Sequence, residues 1–229
     1  MNMKPKQLFK AQNFFLEILN KDYVIPVGKI YCVGRNYSDH AIEMNESIEK
    51  NEPFFFTKPP QSLTQNNKIP FPQNTNNLHH EVELVVLIGS ECKQVSPSDV
   101  EKMILGYAVG LDLTKRDLQE VAKDNKKPWD LSKGFDNSAP VSLVNISNKK
   151  TIKEGKIQLK INGTSRQLGD ISEMIWSISE LISYLSNHIT LYPGDLIFTG
   201  TPAGVGEIKP GDRIEASIEN VGSLEVVIK

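Results

Sequence analysis

The stretch Glu81-Val-Glu-Leu-Val-Val-Leu-Ile-Gly89 places two acids at the entrance of a strongly apolar strand. Because side chains alternate faces along a strand, Glu81 and Glu83 are predicted on the same face, with Cα atoms roughly 6.5 to 7 Å apart. Two ionised carboxylates at that separation repel one another unless they are protonated, solvated or bridged by a cation. The stretch therefore predicts a buried strand that begins at an acidic site.

A third acid, Asp112, follows the apolar run Tyr107-Ala-Val-Gly-Leu and precedes another leucine. A lone buried carboxylate at that position would be costly. Three oxygen donors with no thiolate or histidine pair favour a hard ion, Mg²⁺ first and Mn²⁺ as a close competitor. Taken alone, the pattern favours a simpler interpretation, in which Glu81 and Glu83 line a solvated strand edge and Asp112 caps the next helix.

Short apolar runs separated by proline and glycine predict strands along the chain. They lie at 29–33, 53–56, 82–89, 107–113, 156–161, 195–198, 213–218 and 224–228. Three helices are predicted from a capping side chain followed three residues later by an acid: Ser96 with Asp99, Thr114 with Asp117, and Ser177 with Glu180. Polar stretches at 70–80 and 145–154 predict loops. The predicted fold class is strand-rich α+β.

The length of 229 residues suits one large core, and no internal repeat is present. Residues 1–24 are predicted as an amphipathic N-terminal extension, too irregular for a firm helix, and no chemistry is assigned to them. Residues 25–229 are predicted as a single domain.

The amino-acid composition indicates which kinds of partner the protein binds. The 26 basic and 28 acidic residues nearly cancel to a net charge of -2, which argues against nucleic acid or a membrane surface as a partner. Cys32 and Cys92 are too few for a disulfide framework and lack the spacing of a zinc or redox pair, so a cytoplasmic location is predicted. No run approaches the ~18 apolar residues of a transmembrane helix, and no signal peptide is recognisable. A small molecule remains as the expected partner.

Six motifs follow one another along the chain. They are Gly34-Arg-Asn-Tyr-Ser-Asp-His40-Ala-Ile-Glu43, Phe56-Thr-Lys-Pro-Pro60, His79-His-Glu-Val-Glu-Leu84, Gly110-Leu-Asp-Leu-Thr-Lys-Arg-Asp-Leu-Gln119, Lys133-Gly-Phe-Asp136 and Thr199-Gly-Thr-Pro-Ala-Gly-Val-Gly206. In this order and spacing they resemble the fumarylacetoacetate hydrolase family, in particular its short single-domain acylpyruvases and oxaloacetate decarboxylases or tautomerases. The resemblance extends from residue 29 to residue 226.

The resemblance implies a β-rich fold with a rolled mixed sheet and flanking helices, usually as a homodimer, and makes residues 25–229 the catalytic domain. Glu81, Glu83 and Asp112 match the family's metal ligands one by one. The metal-site interpretation of the three carboxylates therefore displaces the solvated-edge interpretation.

His40 and Glu43 match the family's water-activating pair on a short helix. Residues three apart share a helix face, so the carboxylate can hydrogen-bond one ring nitrogen and raise the basicity of the other. Without its motif, the same pair would be interpreted as part of a solvated helix face.

Three further positions, Lys133, Gln119 and Thr201, match residues at the family's substrate. Lys133 and Gln119 match residues near the substrate and its developing negative charge, so Lys133 is a catalytic candidate. Thr201 matches a contact to the substrate carboxylate. Arg35 lies in a matching segment and is a candidate for substrate binding.

The resemblance implies a Mg²⁺-dependent enzyme, with Mn²⁺ as the competing metal, that acts on small 2-oxo acids through a metal-bound enolate. Hydrolysis of the C3–C4 bond of an acylpyruvate is the leading reaction. Oxaloacetate decarboxylation or keto–enol tautomerisation passes through the same enolate and remains the alternative. An interpretation of another class is a catalytically inactive metal-binding module.

Overall fold

A computed structural model describes residues 8, 12–43, 50, 52–146 and 150–229 of the chain. In its first part the strands are β1 (Phe15–Glu17), β2 (Val24–Pro26), β3 (Ile30–Gly34), β4 (Phe54–Lys58), β5 (Leu63–Thr64), β6 (Lys68–Ile69), β7 (Leu78–His80), β8 (Val82–Ile88) and β9 (Ile104–Leu111). They continue with β10 (Thr114–Lys115), β11 (Ala139–Pro140), β12 (Lys156–Ile161), β13 (Thr164–Asp170), β14 (Leu196–Phe198), β15 (Gly206–Ile208), β16 (Arg213–Ile218) and β17 (Gly222–Ile228). The α-helices are α1 (Ser38–Glu43), α2 (Arg116–Asp124), α3 (Asp130–Lys133) and α4 (Ile178–His188).

The first large sheet has the strand order β4-β3-β14-β8-β9. β3 and β14 run parallel, whereas the other neighbours run antiparallel. Every residue of β8 is buried. Leu84 and Val86 pack into one hydrophobic cluster, while Val85 and Leu87 on the other face pack into a second. Burial on both faces explains why β8 is a continuous apolar run rather than an alternating one.

The second large sheet has the order β13-β12-β16-β17-β6, antiparallel except for the parallel pair β17 and β6. Its Ile157 and Ile214 belong to the same hydrophobic cluster as Leu84 of the first sheet. Leu181 and Ile182 of α4 join that cluster. The main core therefore lies between the two sheets and is covered by α4.

Smaller pairings complete the fold. β7 pairs with β10 and β15, and β11 pairs with β5. The antiparallel pairing of β7 with β10 places His79 opposite Thr114. It holds the chain just before β8 beside the chain just after β9, which is where the predicted acidic site lies.

These features confirm the predicted fold class: strand-rich α+β with mixed sheets and flanking helices. The strands predicted at 53–56 and 107–113 have shifted ends, since β4 runs from Phe54 and β9 from Ile104. No helix among the described residues is long and apolar enough to cross a membrane.

Two of the three predicted helix starts are wrong. After Ser96 the chain makes a turn and then a short 3-10 helix, Val100–Met103, because β9 begins at Ile104 and leaves no room for an α-helix. Thr114 lies in β10 and donates its hydroxyl proton to Asp112 O, so Lys115 is at the N-cap position and α2 begins one residue later than a Thr114 cap predicts. In both places strand pairing overrides the local signal.

The third start is confirmed. Ser177 Oγ accepts from the Glu180 N–H, and Glu180 Oε2 in turn accepts from the Ser177 N–H, which is a complete capping box for α4.

The predicted loops are only partly confirmed. β7 occupies the end of the 70–80 stretch. The described residues of 145–154 contain neither helix nor strand, and residues 147–149 lie outside the described part of the chain.

The N-terminal extension includes a pairing with the rest of the chain. β1 pairs with β2, and Leu16 is fully buried in the second hydrophobic cluster with Ile30 and Cys32. The division between 1–24 and 25–229 remains a prediction.

We predict that Ser177→Ala lowers the free energy of unfolding by about 1 kcal/mol, because the first turn of α4 loses the side chain that accepts from the Glu180 N–H. Urea unfolding at one fixed protein concentration measures it. Ser179→Ala, inside the same helix, is the matched control and should change stability by less than about 0.5 kcal/mol. Equal effects of the two substitutions would contradict the capping assignment.

Candidate metal and substrate site

Three acidic side chains meet where β8 begins and β9 ends. Glu81 immediately precedes β8, Glu83 lies in it, and Asp112 immediately follows β9. The antiparallel register sets Val82 opposite Leu111, and the Asp112 N–H donates to Glu81 O at 2.9 Å. One carboxylate oxygen from each acid lies within 4.8 Å of the others, and the residues are 5%, 1% and 1% exposed. Strand pairing thus brings the three predicted metal ligands together.

Lys133 lies between two of these acids. Its Nζ, at the end of α3, donates to Glu81 Oε2 at 2.9 Å and to Asp112 Oδ2 at 2.7 Å. A third bond, of 2.6 Å, goes to Thr114 Oγ1. An ammonium group has three N–H bonds, so all of them are used and the side chain is fixed in place.

Two more buried cations complete the charge balance. Lys58, at the end of β4, places Nζ 2.8 Å from Asp112 Oδ1 and 3.2 Å from the carbonyl oxygen of Leu113. Arg116, the first residue of α2, pairs its Nη2 with Glu81 Oε1. Three carboxylates therefore face three cations. Removing one member of such a buried set commonly costs about 3 to 5 kcal/mol, because the remaining charge is left uncompensated.

The three cations do not compensate the charges of the three carboxylates equally. Burial acts to raise the pKa of Glu81, but the charges of Lys133 and Arg116 outweigh it and hold this pKa below its usual range. Burial and the charges of Asp112 and Glu81 raise the pKa of Glu83 well above its usual range. Glu83 is thus the acid that the cations stabilise least.

The pKa of Lys133 is also shifted. Burial acts to lower it, but the charges of Asp112 and Glu81 reverse the effect and raise the pKa above its usual range. Lys133 therefore stays protonated at neutral pH and can donate hydrogen bonds, whereas it is unsuited to accept a proton.

The donor set fits a hard divalent ion. Asp112 Oδ1 is buried and has no hydrogen-bond partner among the described residues, because Lys58 Nζ, although 2.8 Å away, lies outside hydrogen-bonding geometry. Closely spaced carboxylate oxygens with unfilled acceptor capacity are the ligands that Mg²⁺ and Mn²⁺ prefer. Glu81, Glu83 and Asp112 are the residues that would hold such an ion.

The predicted dyad is assembled beside these acids. His40 Nδ1 lies 3.2 Å from Glu43 Oε2, both on α1. The Gly204 N–H donates to both Glu43 oxygens, at 3.1 and 3.2 Å. A carboxylate next to Nδ1 favours the proton on that nitrogen and leaves Nε2 free to accept another. The geometry therefore suits a general base.

One cleft, of about 40 Å³, brings the site together. Eight of the nine predicted site residues line it: Arg35, His40, Glu81, Glu83, Asp112, Gln119, Lys133 and Thr201. The ninth, Glu43, contacts the cleft through His40. The volume suits an ion with two or three waters.

A larger cavity of about 690 Å³, which we call the vestibule, adjoins the cleft. The two share Arg35, Phe56, Lys123 and Trp129 as lining residues. Its remaining lining residues are Phe54, Phe55, Thr57, Ala122, Lys126, Lys127, Pro128 and Asp130. Four cations against one acid give the vestibule a positive charge.

The three predicted substrate-binding residues differ in how their side chains are engaged. Gln119 is buried, and its Oε1 accepts from Arg116 Nη1. Thr201 Oγ1 donates to Val82 O at 2.7 Å, so its hydroxyl proton is already used. Arg35 adopts a left-handed φ of 62° at the border of the two cavities, with its guanidinium 5.8 Å from the Phe54 ring centre.

Three residues with roles at the site were missed from the sequence: Lys58, Arg116 and Gln167. Lys58 follows three phenylalanines, and a lysine at the end of so apolar a strand was a usable signal. Arg116 precedes Gln119 by three residues and shares its helix face. Gln167 lies in a polar stretch that gives no signal, and its side chain is fully buried.

Comparison with known proteins identifies the family to which this chain belongs. Residues 29–229 match the family model described as fumarylacetoacetate (FAA) hydrolase C-terminal. The chain belongs to the fumarylacetoacetate hydrolase family, which confirms the resemblance.

Relatives and solved structures cover nearly the whole chain. Oxaloacetate tautomerase FAHD1, mitochondrial, from Bos taurus is 43% identical over 202 residues, which are 87% of this chain and 91% of that protein. A fumarylpyruvate hydrolase from Pseudomonas aeruginosa, solved with Mn²⁺ and pyruvate, superposes with a TM-score of 0.94 at 40% identity and covers 97% of this chain and 99% of that one. A 5-carboxymethyl-2-hydroxymuconate delta-isomerase from Mycobacterium smegmatis gives a TM-score of 0.79 at 36% identity, over 90% of this chain and 80% of that one.

We predict that Lys133→Met tightens Mn²⁺ binding by at least about tenfold, because two unit charges 4 Å apart interact by roughly 4 kcal/mol at an effective dielectric constant near 20. The same change lowers the melting temperature of the metal-free protein, since Glu81 and Asp112 lose a shared partner. Titration calorimetry and thermal melts measure the two effects. Lys93→Met, at an exposed lysine, is the control. Unchanged or weaker Mn²⁺ affinity in Lys133→Met would show that this lysine does not compete with the ion.

Proposed function

We propose that this chain is a divalent-metal-dependent enzyme that acts on small 2-oxo acids, with hydrolysis of acylpyruvates as its leading reaction. Mg²⁺ is the proposed native metal, and Mn²⁺ can replace it. The observation that carries the proposal is the cleft itself, in which three buried carboxylates lie beside the His40–Glu43 pair. The matching of residues 29–229 to the family model supports it.

Glu81, Glu83 and Asp112 are the proposed metal ligands. A divalent ion bound by them would polarise the 2-oxo group and stabilise negative charge on its oxygen. The Pseudomonas aeruginosa fumarylpyruvate hydrolase, solved with Mn²⁺ and pyruvate, supports a divalent ion together with a 2-oxo acid.

The charge balance supports an enolate as the species that the site stabilises. With Glu83 ionised, as it would be when it binds a divalent ion, the three carboxylates and the cations Lys58, Arg116 and Lys133 sum to zero. The ion itself would raise the sum to plus two. The enolate of a 2-oxo acid carries one negative charge on its carboxylate and one on its enolate oxygen, so it restores neutrality inside a buried site.

His40 is the proposed general base of the hydrolysis. With Nδ1–H directed to Glu43, Nε2 takes a proton from water, whose oxygen attacks the C4 carbonyl of the acylpyruvate. The C3–C4 bond then breaks, and its electron pair remains on the pyruvate fragment as the enolate. The proton held by His40 returns to C3, which releases pyruvate and a carboxylic acid.

Protein donors complete the proposed site. Lys133, protonated and buried, stabilises the developing oxyanion through its positive charge, since its three N–H bonds are used by Glu81, Asp112 and Thr114, and Gln119 and Arg35 contact the substrate. Thr201 contacts the substrate carboxylate through its backbone, since its hydroxyl is bonded to Val82 O. The acyl group beyond C3 extends into the vestibule.

Tautomerisation or decarboxylation of oxaloacetate is the second candidate. The FAHD1 relatives from Bos taurus and Homo sapiens, 43% and 44% identical, are named oxaloacetate tautomerases. Both reactions need the enolate but no attacking water. The vestibule favours hydrolysis as the leading reaction, because oxaloacetate has no long acyl arm to occupy it.

A cytoplasmic location and a homodimer belong to the same proposal. Both cysteines are free and buried, which supports a reducing compartment, although the FAHD1 relatives carry the word mitochondrial in their names. Phe15, Tyr23 and Val24 are 49%, 73% and 55% exposed, which supports an interface at the β1–β2 hairpin.

We predict that His40→Ala lowers kcat for acetylpyruvate hydrolysis by about 10²- to 10⁴-fold, the usual contribution of a general base. Mn²⁺ affinity should stay within about twofold, because His40 is not a ligand. Assays use acetylpyruvate and oxaloacetate, each with Mg²⁺ and with EDTA. The exposed His188 supplies the control variant, His188→Ala.

The possible results separate the hypotheses. Unchanged hydrolysis in His40→Ala would remove the proposed base. Turnover of oxaloacetate alone would select the second candidate. Metal binding without turnover of either substrate would leave the inactive metal-binding module.

We predict that Asp112→Asn weakens Mn²⁺ binding by at least about tenfold, since a charged oxygen ligand becomes a neutral one. Calorimetry on the metal-free protein measures the dissociation constant. Glu120→Gln, on the exposed side of α2, removes one negative charge away from the cleft and should leave that constant unchanged. Equal affinities in the two variants would exclude Asp112 from the ligand set.

A further inference from the structure

The turn 200–204 touches both halves of the proposed site. At one end the Gly200 N–H donates to Glu83 Oε2 at 2.7 Å. At the other end the Gly204 N–H donates to the Glu43 carboxylate, which holds His40. The position of this turn therefore determines the distance between the metal ligands and the general base.

Gln167, on the edge strand β13 of the second sheet, binds the turn from outside the cleft. Its Nε2 donates to Thr201 Oγ1 and to Pro202 O, both at 2.8 Å. Its Oε1 accepts from the Val82 N–H at 3.0 Å, and from His80 Nδ1 at 2.9 Å. Both amide ends are used, and the side chain is fully buried.

The orientation of the Gln167 amide follows from its partners. The Val82 N–H can only donate, and Pro202 O can only accept, so Oε1 must face β8 and Nε2 must face the turn. His80 must then carry a proton on Nδ1. An apolar side chain of the same length would leave several buried polar groups without partners, each at a substantial cost.

Close packing between β13 and the turn 200–204 also supports a role of β13 in positioning this turn. Gly204 has a φ of +96°, and a Cβ added there would lie 2.1 Å from Arg166 O, the residue before Gln167. A Cβ added at Gly169 would lie 2.8 Å from Pro202 Cβ. The turn therefore lies directly on β13, and glycine is needed where the two backbones meet.

We propose that Gln167 is a positioning residue, which holds the turn 200–204 so that Glu83 and the His40–Glu43 pair keep their mutual geometry. It touches neither substrate nor metal and acts through Gly200, Thr201 and Gly204. The inference rests on the proposed function for its effect on turnover. Its effects on backbone protection and metal affinity do not depend on which substrate is used.

Two variants loosen the turn in independent ways. Gln167→Met removes the hydrogen bonds and keeps the side-chain length, whereas Gly204→Ala forces the backbone away from Arg166 O. Each has a matched control. Gln158→Met removes a glutamine bonded to Ser217 Oγ in the same sheet. Gly211→Ala introduces alanine at a φ of +95° with nothing within 4 Å. If Gln167→Met does not fold, Gly204→Ala carries the test.

The first measurement uses metal-free protein. Amide hydrogen exchange at Gly200, followed by NMR, should be at least about tenfold faster in both test variants than in their controls. The second is Mn²⁺ calorimetry without substrate, in which the dissociation constant should rise about 10- to 100-fold, as for other partners that orient metal ligands. The third is kcat at saturating Mn²⁺, which should fall about tenfold or more while KM changes less than about threefold.

A purely structural role predicts a different result. In that case both test variants melt at lower temperature, yet keep the control values for Gly200 exchange, Mn²⁺ affinity and kcat per metal-loaded site, and the proposal is overturned. If the unmodified protein hydrolyses neither 2-oxo acid, the proposed function fails. Gly200 exchange and Mn²⁺ affinity still decide the role of Gln167.

Discussion

The compensation of three buried carboxylates by three buried cations is the constraint on which the site depends. Glu81, Glu83 and Asp112 can lie together only because Lys58, Arg116 and Lys133 approach them from other elements. Isolated charges are very costly in a protein interior, so the compensation has to be present in the folded state. Errors in the placement of β4, α2 or α3 would each leave a charge unpaired. The correct fold and the correct arrangement of the site therefore depend on the same placements.

The sequence was most informative where partners are close along the chain. The spacing of Glu81 and Glu83 before an apolar run identified both β8 and the acidic site, and Ser177 with Glu180 identified the start of α4. Thr114 and Ser96 misled because tertiary strand pairing overrode their capping signals. Local pattern therefore predicted elements well when no neighbouring strand competed for the same residues.

What could not be predicted depends on long-range contacts. Lys58 reaches Asp112 across more than fifty positions, and Gln167 reaches Val82 across 85. No period or motif links such pairs, because the first depends on how strands far apart in sequence are arranged within the first sheet, and the second on contact between the two sheets. The family resemblance identified the residues that line the cleft, whereas it said nothing of the side chains that hold those residues in place.

The position of Lys133 between Glu81 and Asp112 has a consequence for how the protein matures. With an ammonium group already bridging two of the acids, the chain carries its own counter-charge and can fold before it meets an ion. A divalent ion would then enter a site that is already folded. Its identity would depend on the ions that surround the folded protein and on ligand hardness, instead of on which ion was present during folding.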